Sequence, residues 1–150
     1  MHLRKYSQKV PISLEECWDF FSKPSNLKVI TPDYLSFNMT CDECEMYPGQ
    51  IITYTIKPLL NIPLKWMTEI THVEKFKYFI DEQRMGPYKL WHHEHRFIPI
   101  PEGVEMRDMI YYQLPFGPLG RLINTLKVHN DIDGIFAYRR AKMIELFGNI

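Results

Sequence analysis

The sequence predicts an α+β fold in which a curved antiparallel sheet of seven strands wraps around one long C-terminal helix, with short helices after the first strand. Three observations predict it. Between residues 35 and 113, turn residues punctuate the chain about every ten positions and no helical period appears, which is the pattern of successive strands. The connections there are short, which favours antiparallel neighbours. Residues 121–147 instead carry apolar side chains at helical spacing, so one amphipathic helix follows the sheet. A twisted sheet can bury that helix's apolar stripe and still leave space between them.

Residues 2–10 alternate loosely and are basic, the signature of an edge strand ending at Pro11. Ser13 with Glu16 three residues on forms a capping box, and Leu14, Cys17, Trp18 and Phe21 recur at helical spacing until Lys23-Pro24-Ser25-Asn26 breaks the pattern. A second short helical turn is expected over residues 26–30, before Thr31-Pro32. Strands are expected at 35–45, 50–57, 63–73, 76–84, 88–99 and 103–113. Pro48-Gly49, residues 58–63, Glu74-Lys75, Gly86-Pro87 and residues 99–103 separate them. Residues 114–120 interrupt the sheet, and the long helix is expected over 121–147 with a bend near 130–134. Val128, Ile132, Ile135, Phe136, Met143, Leu146 and Phe147 form its stripe, with Arg139 near the centre and Arg140 on the margin. A cation amid an apolar stripe that faces a sheet has to find a carboxylate.

The length fits one domain spanning residues 1–150. Eighteen basic and eighteen acidic side chains cancel and no Lys/Arg-rich run stands out, so the electrostatic footprint of a nucleic-acid binder is missing. No run approaches the roughly 18 apolar residues of a membrane span, and the N-terminal residues lack the apolar core of a signal peptide; a cytoplasmic protein is expected. Three cysteines argue against a disulfide framework. Cys17 reads as a small buried thiol, and Cys41-Asp42-Glu43-Cys44 has redox or zinc spacing but no second pair. Nine Tyr, nine Phe, three Trp and eight Met can fill a core or line an adaptable cavity.

The segment 91–97 carries the chemistry. Strand side chains alternate, so Trp91, His93, His95 and Phe97 share one face, and its aromatic ends mark that face as buried. In the next strand Val104, Met106, Asp108, Ile110 and Tyr112 share the inward face. One hairpin register pairs Phe97 with Val104 and His93 with Asp108; slipping by two residues places His95 opposite Asp108. Either brings a carboxylate beside an imidazole and within reach of Arg139, a cluster expected to titrate as a coupled unit.

The order of elements resembles the SRPBCC ligand-binding proteins, the START-like, Bet v 1-like or helix-grip group that includes polyketide cyclase-like members. The residues that carry the likeness are Thr31-Pro32, Trp66-Met67-Thr68-Glu69-Ile70, Phe79-Ile80-Asp81-Glu82-Gln83, Gly86-Pro87-Tyr88, residues 91–97, Asp108, Pro115-Phe116-Gly117 and Ile135-Phe136-Ala137-Tyr138-Arg139. The likeness runs through essentially the whole chain and implies a cavity for a hydrophobic ligand rather than a named reaction.

Four readings compete for the polar cluster: a structural network fixing helix to sheet; orientation of the polar end of a greasy ligand; acid/base catalysis of a polyketide cyclase or dehydratase kind by a His-Asp pair with Arg139; and a metal site in which Asp108 joins His93 and His95. The ligand-binding residues are assigned as His93, His95, Asp108, Arg139, Trp91, Trp66, Tyr112 and Phe136, with no catalytic residue, metal or cofactor assigned. The partner expected is a small hydrophobic molecule, with a filled-core interaction module as a further alternative. Whether a reaction is catalysed is left open. Asp81 and Gln83 share a face with Phe79, but Tyr78 and Ile80 make the other face equally apolar, so the inward side of that strand is ambiguous. Thr68 and Ile70 with Trp66 read as cavity wall or plain core. Residues 59–62 read as a lid or as a contact with a second copy in a homodimer, and residues 116–120 as a gate or a rigid connection.

Overall fold

A computed structural model describes residues 1–42, 45–57, 62–123 and 127–150. The elements are β1 (His2–Val10), α1 (Leu14–Phe21), single 3₁₀ turns at Pro24–Lys28 and Asp33–Leu35, β2 (Asn38–Met39), β3 (Gln50–Ile56), β4 (Leu64–Glu74), β5 (Tyr78–Met85), β6 (Leu90–Ile100), β7 (Gly103–Gln113), α2 (Gly117–Ile123) and α3 (His129–Phe147). The strands form one antiparallel sheet in the order β1-β7-β6-β5-β4-β3-β2. This is the α+β architecture that the sequence predicts. No described helix is long and apolar enough to cross a membrane.

The capping box starts α1 as expected. Glu16 N–H donates to Ser13 Oγ at 3.2 Å, and Ser13 N–H donates back to Glu16 Oε2 at 3.0 Å, satisfying two otherwise orphaned donors. The helix buries Cys17 and Trp18 against β6 and β7, in a core shared with Val10, Phe79, Phe97, Met106 and Met143. Burial, with the Asp108 charge adding to it, pushes the Cys17 thiol up to about 12, so this cysteine is inert packing.

Several boundaries differ from the sequence expectation, each for a physical reason. The strand expected at 35–45 reduces to β2, because a 3₁₀ turn ends at Leu35 and Ser36 takes a left-handed conformation with φ 48°. The turn expected over 99–103 contracts to Pro101-Glu102: Pro99 stays in the ladder opposite Val104, and Ile100 pairs with Gly103. Gly103 is required there, since its φ is +151° and a Cβ would sit 2.1 Å from the Val10 carbonyl oxygen. Residues 117–120, read as connection, open α2, with Pro118 in its first turn where a missing N–H costs nothing. In α3 the buried stripe is Ile132, Phe136, Arg139 and Met143, whereas Leu146 is exposed. Residues 58–61 and Cys44 lie outside the described residues, so the lid or second-copy contact and the Cys-x-x-Cys pair do too; Ile62 is exposed and Cys41 half-buried.

α3 is fastened to β1. Tyr6 stacks on Phe136 with ring centroids 3.9 Å apart and donates its hydroxyl to Asp133 Oδ1 at 2.6 Å, and Arg4 pairs with the same Asp133 carboxylate. Gln8 donates to the Arg140 carbonyl at 3.0 Å, and Arg140 donates to the Ser7 carbonyl.

Candidate functional site

The hairpin of β6 and β7 takes the second of the two registers, with His95 directly opposite Asp108 and His93 opposite Ile110. Both imidazoles nevertheless reach the carboxylate. Asp108 Oδ1 lies 2.8 Å from His93 Nε2 in a hydrogen bond, and 3.1 Å from His95 Nδ1, which is turned off the line that a hydrogen bond needs. Asp108 is 8% exposed, and α3 brings Arg139 Nη1 to 3.6 Å from the same oxygen. The expected His-Asp-Arg cluster therefore forms.

β5 adds a residue that alternation alone does not place. Asp81 pairs with His93 across the β5–β6 ladder and points inward, beside Phe79. Its Oδ2 accepts from His95 Nε2 at 2.7 Å and lies 3.4 Å from His93 Nδ1. The signal was present in the shared parity of Asp81 with Phe79, which is 5% exposed, but Tyr78 and Ile80 masked it.

Aromatic rings hold the imidazoles in place. His95 stacks between Phe79, at 4.1 Å, and His93, at 3.7 Å between centroids. His93 is met edge-on by Trp91 at 6.2 Å and by Phe136 at 5.8 Å, and the Arg139 guanidinium lies 4.6 Å from the centroid of the Phe136 ring.

This cluster ends a cavity of about 460 Å³ between the sheet and α3. Ile52, Tyr54, Trp66, Thr68 and Ile70 form its sheet wall, Leu27, Ile30 and Tyr34 one side, and Ile132, Ile135 and Phe136 its helix wall. Asp81, His93, His95 and Arg139 line its polar end, and Trp91 also borders it. Trp66 Nε1 donates to Thr68 Oγ1 at 3.0 Å, so that wall is internally satisfied. Two assigned residues fall elsewhere. Tyr112 is fully buried with Ile110, Ile132 and Phe136, outside the cavity lining, because β7 at that point faces the packed side of α3. Asp108 stands behind His93 and borders a separate hollow of about 300 Å³ against Tyr6, Phe136 and Arg139.

The electrostatics follow from burial set against these contacts. Burial works to raise the Asp108 carboxyl, but the His93 and His95 contacts outweigh it and hold the group far below the ordinary carboxylate range. Burial likewise opposes ionisation of Asp81, and His93, His95 and Arg139 more than reverse it. The two imidazoles part company. Burial, reinforced by the His95 charge, pulls His93 below its ordinary value of 6.5, whereas for His95 the burial effect is overcome by Asp108 and Asp81 and its value rises. In chelator-treated protein, a pH titration followed by ¹H–¹⁵N correlation of the imidazoles is expected to show His95 titrating above 6.5 and His93 below it. The reverse order would refute this account. Protonated His95 contributes stability below pH 6.5 that is lost as pH rises through its raised value, and His93 acts in the opposite sense, disfavouring the fold as pH drops below 6.5. Asp81 and Asp108 contribute stability present above 3.8 and lost as pH falls through their lowered values.

No family model matches the sequence, and no curated protein matches it. Solved structures do. CV1439 from Chromobacterium violaceum is similar with a TM-score of 0.72 at 9% identity, covering 99% of this chain and 98% of that one. Ara h 8.0201 is similar with a TM-score of 0.65 at 11% identity, covering 96% and 98%. A nucleoside-diphosphate sugar epimerase from Corynebacterium glutamicum is similar with a TM-score of 0.67 at 19% identity, covering 95% of this chain but 28% of the epimerase. At these identities the likeness shows the fold alone, and the fold is the helix-grip fold.

Proposed function

We propose that this chain binds a small, largely hydrophobic molecule whose one electron-rich end meets Arg139. The observation that carries the reading is a cavity of about 460 Å³ with a largely apolar lining and the Asp81, His93, His95 and Arg139 cluster at one end, bordered elsewhere by Lys23, Asn26, Lys127 and Asp131. That volume lies within the range of about 300–1,000 Å³ typical of sites for small organic ligands, and it argues against a filled-core interaction module. Arg139 supplies the polar preference. The residue is 8% exposed, and its Nε and Nη1 atoms are buried without a hydrogen-bond partner among the described residues. Buried donors left unmade are costly, so a carboxylate, sulfonate, phenolate or carbonyl oxygen there recovers what the protein leaves unsatisfied.

8-Anilinonaphthalene-1-sulfonate combines an apolar body with an anionic end and serves as the probe. Its fluorescence is expected to rise on binding at one site per chain. Ile135→Trp, which fills the cavity from a half-buried position on α3, is expected to weaken binding at least about tenfold, the equivalent of about 1.4 kcal/mol, with the circular dichroism unchanged. Probe binding that is absent, or indifferent to Ile135→Trp, would overturn the reading.

One observation favours a second reading. The His93–Asp108 hydrogen bond beside Arg139 is a proton-transfer pair next to a group that can steady an oxyanion, the arrangement that a cyclase or dehydratase needs. Conversion of a bound ligand by the parent protein, abolished in Asp108→Asn while binding survives, would favour catalysis over carriage.

A further inference from the structure

His93 and His95 are each held between two carboxylates, one behind and one in front. Behind them, Asp108 Oδ1 lies 2.8 Å from His93 Nε2 and 3.1 Å from His95 Nδ1. In front, Asp81 Oδ2 lies 3.4 Å from His93 Nδ1 and 2.7 Å from His95 Nε2. A neutral imidazole owns a single N–H. In the metal-free chain a proton on His95 Nε2 serves Asp81; once that proton is displaced and both rings carry their N–H on the Asp108 side, the two remaining nitrogen lone pairs and the Asp81 carboxylate face one another, and a cation can take the proton's place.

We propose that Asp81, His93 and His95 bind a divalent first-row transition ion at the polar end of the cavity, with Asp108 as the carboxylate that orients both histidines. The three donor atoms lie within 4.8 Å of one another. Donors on one ion with bonds of about 2.0–2.1 Å stand about 2.9–3.4 Å apart, between octahedral and tetrahedral geometry, so small side-chain adjustments complete the site. The His-x-His spacing on β6 turns both rings to one face, and the β5 ladder sets Asp81 directly opposite His93. Metal-bound histidines characteristically give their other ring N–H to a carboxylate, which is the place Asp108 occupies. Two imidazoles and one carboxylate suit Zn²⁺, Fe²⁺, Co²⁺ or Ni²⁺, whereas Mg²⁺ and Ca²⁺ call for oxygen donors alone. Three protein ligands leave coordination positions open, and the side that lacks a protein ligand is the cavity. The site stands independently of what the apolar cavity holds.

The test uses tag-free, chelator-treated protein titrated with CoCl₂ and, in parallel, with ZnCl₂ by calorimetry. One Co²⁺ per chain is expected, with the visible d–d absorption of a low-coordinate nitrogen and oxygen site, displaced by Zn²⁺. In the parent protein, sub-stoichiometric Co²⁺ is expected to shift or broaden the His93 and His95 imidazole resonances before those of exposed His72. This readout does not depend on any variant folding. His93→Gln and Asp81→Asn are expected to weaken binding at least about 100-fold, Asp108→Asn about 10–100-fold with a similar spectrum, and His72→Gln not at all. Absence of Co²⁺ binding, broadening confined to other histidines, or binding unchanged in folded His93→Gln would each overturn the proposal. None of these outcomes bears on sulfonate-probe binding, so the two proposals fail separately.

Discussion

Replacing Asp108 with alanine is expected to lower the stability of the metal-free chain by about 3–5 kcal/mol, the cost typical of removing one partner from a buried ion pair. The carboxylate is 8% exposed, and a single oxygen serves His93, His95 and, at 3.6 Å, the Arg139 guanidinium. Its removal takes from the buried Arg139 cation the carboxylate at 3.6 Å, and leaves an N–H of His93 that has lost its acceptor. Asp108→Asn keeps the shape and one acceptor but not the charge, so it is expected to fall between the parent and Asp108→Ala. Urea unfolding measures both: the midpoint falls while the slope stays that of the parent. A loss under about 1 kcal/mol would mean that water or a rearranged Asp81 replaces the missing carboxylate, and the electrostatic account of the site would be wrong.

Trp18→Ala is expected to cost a similar amount, about 3–5 kcal/mol, for a different reason. Trp18 is 4% exposed and sits edge-on to Phe76, Phe79 and Phe97, with ring centroids 5.9, 6.2 and 5.5 Å away. Truncation leaves a hole that three rings cannot close together, because Phe79 and Phe97 are fixed on adjacent strands. Phe79 also forms the outer leaf of the stack on His95, so the damage travels to the site. A thermal melt gives the stability loss, and the His95 imidazole resonance is expected to move in the folded variant. A melt within about 1 kcal/mol of the parent would show that α1 collapses onto the gap instead.

How far these features can be read from sequence depends on which physical rule fixes them. Alternation fixed the inward faces of residues 91–97 and 104–112, because a face with Phe97, Val104 and Ile110 on it has nowhere to go but inside. It could not choose between registers that differ by two residues, since both preserve the faces; Pro99 remaining in its strand made that choice through tertiary pairing. Asp81 was obscured because both faces of β5 carry large apolar side chains, and its register against β4 shifts at irregularities near Thr68 and His72. Arg139 was legible from the stripe it interrupts, whereas Leu146, expected in that stripe, is exposed, and Tyr112, inward as expected, packs in the core rather than along the cavity. The inward side of a strand includes both cavity wall and packed core, and in the last turn of α3 it is Phe147 rather than Leu146 that turns to the core. The start of α2 could have been taken from Pro118 as a helix-opening residue rather than from its neighbouring glycines as breakers.

The ladder between β1 and β7 has a consequence for how this chain folds. His2 pairs with Tyr112 and Val10 with Val104, so β1, which emerges before the other six strands of this sheet, waits for residues about a hundred positions later before its backbone groups are satisfied. Its attachment to Asp133 comes later still. The hairpin of β6 and β7, closed by two residues, is local and is expected to form early, whereas β1 closes the longest loop in the sheet and is expected to dock last. Until then the outer edge of β7 stays bare, and this is the interval in which the nascent polypeptide is most open to pairing with the wrong strand.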